Sequence, residues 1–183
     1  MQKETYLFVD TETTGFKKSG AIKQDGQARV CQVGMILTDA TGKIINSFSQ
    51  LIKPDGWKVS QFNIDSCGIT QEDCEKYGVS AKSVFSLFGR YASMASVIVA
   101  HNADFDKDFC IIEAAYAEMP MPETSWYCTM KENTHISGGK WPKLSEALQH
   151  FCGRQLGNVA HNAMYDVEAC KDIFFAARQK EAA

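Results

Sequence analysis

Hydrophobic and polar positions along the chain change period once, dividing it into a strand-rich opening and a remainder in which helices and strands alternate. Tyr6 to Val9 is a short apolar run. Arg29 to Leu37 reads as a strand, Thr38-Asp39-Ala40-Thr41-Gly42 supplies turn residues, and Ile44 to Ile52 reads as a further strand, so these two form a hairpin beside the first run. Pro54-Asp55-Gly56 ends it. Further on, Val84, Leu87, Phe88 and Tyr91 recur at i, i+3, i+4 and i+7, which predicts an amphipathic helix from Ser80 to Met94. Val97 to Ala100 is a short buried strand. Phe105, Phe109, Ile112, Tyr116 and Met119 step by four and three, a helix that ends before Pro120. Trp126 to Thr129 gives a fifth strand; Leu144, Ala147, Leu148 and Phe151 mark a helix stopped by Gly153, and Ala163 to Gln179 reads as the last helix. This order predicts an α/β fold, a mixed five-stranded sheet flanked by helices, in a single domain spanning residues 1–183.

The first apolar run leads into Asp10-Thr11-Glu12-Thr13-Thr14-Gly15. With a strand period of two, Asp10 and Glu12 share one face while Thr11 points the other way. Two like charges held close at the end of a buried strand are costly unless a cation neutralises them, and a divalent metal is the natural choice. A strand that simply runs into a polar loop with two solvated carboxylates gives the same D-x-E, so other residues must decide.

They come as an internal echo. His101-Asn102-Ala103-Asp104-Phe105-Asp106 and His161-Asn162-Ala163-Met164-Tyr165-Asp166 share the pattern H-N-A-x-aromatic-D at two helix starts. In each, Asn can act as N-cap and the acid falls in the first turn. Acids favour first turns for dipole reasons alone, which accounts for either hexad taken singly. Together with D-x-E, four carboxylates from one strand and two helix starts can converge on a pair of divalent ions, an arrangement suited to phosphodiester hydrolysis. Oxygen donors indicate magnesium or manganese.

Charge first argues against a nucleic-acid partner, because the net value is -3. Without those four acids it becomes +1, and bound metals make the same cleft attractive to phosphate. The long, mobile loop from Phe16 to Ala28 carries Lys17, Lys18 and Lys23, for which solvation is favoured slightly over phosphate contact. Seven scattered cysteines, with no C-x-x-C, exclude a zinc framework and fit reduced thiols. No apolar run approaches the roughly 18 residues of a membrane span and no leader precedes the first strand, so the expectation is a cytoplasmic protein without a membrane partner. Gly138-Gly139-Lys140 lacks the rest of a phosphate loop, His135 and His150 have no partner at metal-ligand spacing, and no nucleophile motif is present.

The residues from Asp10 to Gly15, His101 to Asp106 and His161 to Asp166 resemble, in order and spacing, the three motifs of the DEDDh (DnaQ-like) 3'-5' exonuclease family. Leu144-Ser145-Glu146-Ala147-Leu148 is similar to the branch containing the proofreading exonuclease of bacterial replicative DNA polymerase. The resemblance implies a ribonuclease H-like fold and removal of nucleoside 5'-monophosphates from the 3' end of single-stranded DNA, with two Mg2+ or Mn2+ ions. It implies that Asp10, Glu12 and Asp166 hold the metal beside the attacking water, that Asp10 also touches a second metal which Asp106 supports, and that His161 is the general base. His101, at the end of a buried strand, is expected to be structural. Phe16 and Ile69 match positions that pack on terminal bases, with ordinary core packing as the alternative, and Thr13, Gly15 and Asn102 join them as substrate-binding positions. A DNA polymerase is the further partner that the resemblance admits. Departures are Cys67, where relatives often have histidine, Val167 in place of alanine, and a longer Phe16 to Ala28 loop. The same chemistry in an exoribonuclease, or a silent domain that binds nucleic-acid ends or a polymerase, are the competing readings, with DNA favoured over RNA.

Overall fold

In the computed structural model, which describes residues 4–156 and 162–181, the first apolar run lies in the middle of the sheet. It belongs to β1 (Thr5–Thr13), longer than the run itself because β2 (Val30–Asp39) pairs beside it from Thr5↔Asp39 through to Thr13↔Val30. β3 (Ile44–Leu51) completes the antiparallel hairpin and forms an exposed sheet edge.

Two short helices follow, α1 (Gln61–Cys67) and α2 (Gln71–Tyr77). Neither follows from hydrophobic periodicity, because seven residues are too few to show it. Their local signal is capping: Ser60 and Asn63, then Thr70 and Asp73, form reciprocal capping boxes. The remaining elements are α3 (Ala81–Met94), β4 (Val97–Ala100), α4 (Ala103–Tyr116), β5 (Trp126–Cys128), α5 (Thr129–Glu132), a 3-10 turn at Thr134–Ser137, α6 (Leu144–Cys152) and α7 (Ala163–Glu181). Thr129, expected to end a strand, instead opens α5.

Strand order is β3-β2-β1-β4-β5, with β4 parallel to β1 and β5 parallel to β4, so the sheet is mixed and five-stranded as expected. Alternation along β1 then sorts the helices. Leu7 and Val9, with Val33, Met35 and Leu37 of β2, bury one face against Val84, Phe85 and Phe88 of α3 and Phe109 and Ile112 of α4. Tyr6 and Phe8, with Ile36 and Val99, bury the other against Val167, Cys170 and Phe174 of α7. Each large apolar side chain so buried contributes about 1.5–3 kcal/mol, and a one-residue slip would exchange the faces. Register is therefore fixed. By the same parity, Asp10 and Glu12 look toward α7 and Thr11 looks toward α4.

The connection between β1 and β2 has no regular element, matching the expected loop. Its two ends are tied to each other, Thr14 N–H donating to the Arg29 carbonyl at 2.8 Å and Arg29 N–H to Thr14 Oγ1 at 2.9 Å. Arg29 is then fixed in the core by a bidentate pair with Glu113 of α4, both contacts 2.8 Å, with its guanidinium 3.8 Å from the Tyr116 ring centre. Val30 N–H also donates to Glu113, so this buried acid has its charge matched and its oxygens occupied. Among the described residues, no helix is long and apolar enough to cross a membrane.

Candidate active site

β4 pairs with β1 only at Tyr6, Leu7 and Phe8 and ends at Ala100, leaving the far half of β1 without a strand on that side. The first turn of α4 fills the place. Asp106, 3% exposed, accepts from the backbone N–H of Thr11 at 2.9 Å and from its hydroxyl at 2.8 Å. A ladder bond that β4 does not make is thus replaced by a carboxylate.

On the opposite face of β1, α7 begins. One ligand oxygen from each of Asp10, Glu12 and Asp166 can be chosen so that all lie within 4.8 Å of one another. This close approach of helix to sheet needs Gly34, the β2 partner of Asp10: a Cβ built there would lie 2.4 Å from the Ala163 carbonyl oxygen. Gln32, the partner of Glu12, accepts from the Ala163 N–H at 3.2 Å. Neither residue emerged from the sequence reading, although a glycine inside an apolar strand is itself a sign of close backbone approach.

The electrostatics follow from this crowding. Burial, then the charges of Asp106, Asp166 and Glu12, push the Asp10 carboxyl well above the usual carboxylate range. Glu12 is pushed up to about 8 by burial, followed by the nearby Cys67, Asp166 and Asp106. Asp106 rises to about 7 through burial, opposed by its Thr11 hydrogen bonds and supported by Asp166. A divalent cation removes the conflict, and the donor set suits one: all three ligands are hard oxygens that lie within 4.8 Å of one another. Asp106 is not in the compact trio, being turned to Thr11, yet it acts electrostatically on both Asp10 and Glu12.

Beside Glu12 a cavity of about 170 Å³ is lined by Thr11, Glu12, Thr13, Gly15, Phe16, Asn63, Ser66 and Phe105. Thr13 Oγ1 donates to the Gly15 carbonyl at 2.7 Å across a turn in which Gly15 takes φ +149°, a conformation that favours glycine. The Asn63 side chain donates to the Thr13 carbonyl, tying α1 to the end of β1. Phe16 is 79% exposed at the cavity wall. Ile69 does not line it: only 7% exposed, it packs with Cys31 and Cys74, so its place in this structure corresponds to the core-packing alternative. Asn63, Ser66 and Phe105 occupy the wall instead, residues that the sequence reading did not assign to a substrate site.

Asn102 corrects another expectation. It stands at the N-cap position of α4 but takes the left-handed conformation, φ 73° and ψ 49°, and its side chain makes no capping hydrogen bond. His101 bonds through both ring nitrogens, Nε2 to the Pro142 carbonyl at 3.0 Å and Nδ1 to the Thr129 hydroxyl at 2.9 Å. Since a carbonyl only accepts, Nε2 carries a proton toward Pro142, while the Thr129 hydroxyl beside Nδ1 also lies 3.3 Å from the Ala100 carbonyl. Burial also lowers the His101 pKa, and an imidazole so occupied is poorly placed to take a proton from water. His161 lies outside the described residues.

Comparison with known proteins agrees with this architecture. The chain is 32% identical over 187 residues to the PolC-type DNA polymerase III of Streptococcus mutans, covering 96% of this chain. It spans 11% of that polymerase, and 27% of a curated relative from Mycobacterium tuberculosis. The structure of E. coli exonuclease I in complex with a dA16 oligonucleotide superposes with a TM-score of 0.80 at 19% identity, over 98% of this chain and 42% of that one. The nuclease domain of 3'hExo, a DEDDh family member bound to rAMP, gives 0.75 at 16% identity, over 97% and 93%. Residues 7–174 match the RNase T exonuclease family, from β1 with its two acids through to the core of α7, so the chain belongs to that DnaQ-like exonuclease family and has a ribonuclease H-like fold.

Proposed function

We propose that this chain, as one exonuclease domain over residues 1–183, shortens single-stranded DNA from its 3' end and releases nucleoside 5'-monophosphates with the aid of two Mg2+ or Mn2+ ions. The observation that carries the reading is the convergence of Asp10, Glu12 and Asp166 within 4.8 Å, on a domain of an exonuclease family. Asp10, Glu12 and Asp166 would hold one ion, and Asp10 with support from Asp106 the second. When bound, the ions supply charge for the attacking water and for the leaving oxygen of an in-line displacement. His161 takes the proton from the attacking water, in keeping with the family resemblance. Thr13, Gly15 and Phe16 border the cavity beside Glu12, where a terminal nucleotide can be oriented by the turn and the exposed ring. Asn102 contacts the strand from the start of α4.

DNA is favoured by the Thr13-Thr14 pair and by the oligonucleotide-bound exonuclease I among the structural neighbours. The rAMP-bound 3'hExo domain supports a second reading, an exoribonuclease on the same site. Because a sequence relative is a polymerase, association with a DNA polymerase and a proofreading role belong to the proposal. Reduced thiols suit a cytoplasmic setting.

The deciding experiment is digestion of matched 5'-end-labelled DNA and RNA, single- and double-stranded, with magnesium present or chelated. Progressive 3' shortening of single-stranded DNA that stops on chelation is the expected result. Faster loss of RNA would transfer the function to the second reading, and cleavage of circular strands would overturn end-specific hydrolysis.

A further inference from the structure

The start of α7 carries a problem that its own residues solve only in part. The Asn162 side chain accepts the Met164 N–H at 3.0 Å, and the Asn162 carbonyl accepts the Asp166 N–H at 3.1 Å. The Ala163 N–H is served from across the sheet, by Gln32 Oε1 at 3.2 Å. Gln32 is largely buried, pairs with Glu12 in the β1–β2 ladder, and lies on the same face as Gly34, where the helix backbone touches the sheet.

One amide oxygen therefore links the strand position beside Glu12 to the turn that carries Asp166. We infer that Gln32 is a positioning residue: it fixes the first turn of α7 so that the Asp166 carboxylate meets Asp10 and Glu12, and so sets divalent-ion affinity. This rests on the metal-binding reading proposed above. Substitution of such a supporting group typically lowers metal affinity by 10- to 100-fold, and the single hydrogen bond here argues for the lower end. A buried neutral amide also suits the place chemically, since it presents an acceptor to the helix without a further negative charge beside Glu12.

The test uses the full chain and Mn2+ alone as probe. Titration calorimetry should show Gln32→Met, similar in size but without the acceptor, binding Mn2+ about tenfold more weakly. Gln32→Glu, which restores an acceptor, should recover at least wild-type affinity. Melting without metal is followed in parallel, and cleavage at saturating metal should regain most of its kcat in Gln32→Met. A lowered melt with Mn2+ affinity unmoved would confine Gln32 to folding, and an unchanged melt with unchanged affinity would leave it no positioning role; either overturns the inference. Equal weakening in Gln32→Met and Gln32→Glu overturns it as well, because the acceptor would not matter. Asp166→Asn separates the two readings: if it binds Mn2+ like wild type, the metal-binding reading fails and the role of Gln32 falls with it, whereas weakened binding in Asp166→Asn with unchanged binding in Gln32→Met overturns the role of Gln32 alone.

Discussion

Residues 102–106 and 162–166 carry Asn, Ala, an aromatic residue and Asp at matching positions, and the fold uses them differently. Ala103 and Ala163 are both buried, but Phe105 packs against Phe109 while Tyr165 is 51% exposed. Asn162 caps its helix through its side chain, whereas Asn102 turns the chain in the left-handed conformation. Asp166 faces Asp10 and Glu12 across the α7 side of β1; Asp106 comes from the α4 side and holds the Thr11 backbone and hydroxyl. The difference arises in what precedes each helix. β4 runs into α4 after only His101 and Asn102, so the turn must be tight and the acid is delivered onto the strand that β4 has just left unpaired. A short motif thus locates an acid along the chain, while the neighbouring strand decides which of its chemical uses is realised.

The largest effects should separate the acids by task. Asp10→Ala and chelation of divalent ions are each expected to abolish cleavage, and Asp166→Asn to lose most metal binding together with turnover while its melt without metal stays at or above wild type, because a repulsive charge is gone. Single-turnover cleavage with calorimetric Mn2+ titration checks both, and Asp166→Asn with normal turnover would break the assignment.

Next in size are the histidines. His161→Ala should cut the single-turnover rate by about 10²- to 10⁴-fold with little change in melting or metal affinity, as expected for loss of a general base. His101→Ala removes the partner of the Pro142 carbonyl and one of the contacts of the Thr129 hydroxyl and should act through stability, by about 1–3 kcal/mol. Loss of cleavage in His101→Ala with an unchanged melt, while His161→Ala stays active, would reverse the two roles.

How much of this was legible in the sequence depends on the range of the interaction. The period-two pattern of β1 placed Asp10 and Glu12 on one face, and the repeated hexad marked Asp106 and Asp166, because both are local signals. The five strands and the long helices were legible for the same reason. The seven-residue helices α1 and α2 were not, and with them went Asn63 and Ser66 at the cavity wall. The contact of Gly34 with Ala163 and the bond from Ala163 to Gln32 join positions about 130 residues apart, which no local pattern records. Ile69 shows the converse: its Cys-Gly-Ile-Thr context matched a substrate position, while its burial is decided by Cys31 and Cys74.

Smaller effects concern the uncatalysed fold. Asp106→Ala should cost about 1–3 kcal/mol in a denaturant melt, because a buried N–H and hydroxyl of Thr11 lose their acceptor. The pH dependence has a defined sign. Glu12 at about 8 and Asp106 at about 7 lie above their ordinary 4.5 and 3.8, so the folded state holds protons that the unfolded chain has released. Stability present below those ordinary values is lost as pH rises through about 7 to 8. Without metal, the melt at pH 8 should therefore lie below that at pH 5, and Mg2+ should narrow the gap. A melt that rises over this range in the absence of metal would contradict the crowded-carboxylate picture.

The smallest effect tests the comparison most directly, since it asks whether two asparagines in the same motif do different work. Serine caps helices about as well as asparagine, so Asn162→Ser should melt close to wild type while Asn162→Ala loses about 1 kcal/mol. At position 102 no cap bond is present to preserve, and the left-handed backbone disfavours any side chain other than Asn or Asp by about 1–2 kcal/mol. Asn102→Ser should therefore be as damaging as Asn102→Ala, and Asn102→Gly, which adopts that conformation without strain, should stay within a few tenths of a kcal/mol of wild type. The expected order is serine above alanine at 162, and glycine above both at 102. Denaturant melts of these five variants without metal resolve it, and equal tolerance of serine at both positions would mean that the two helix starts share one conformation after all.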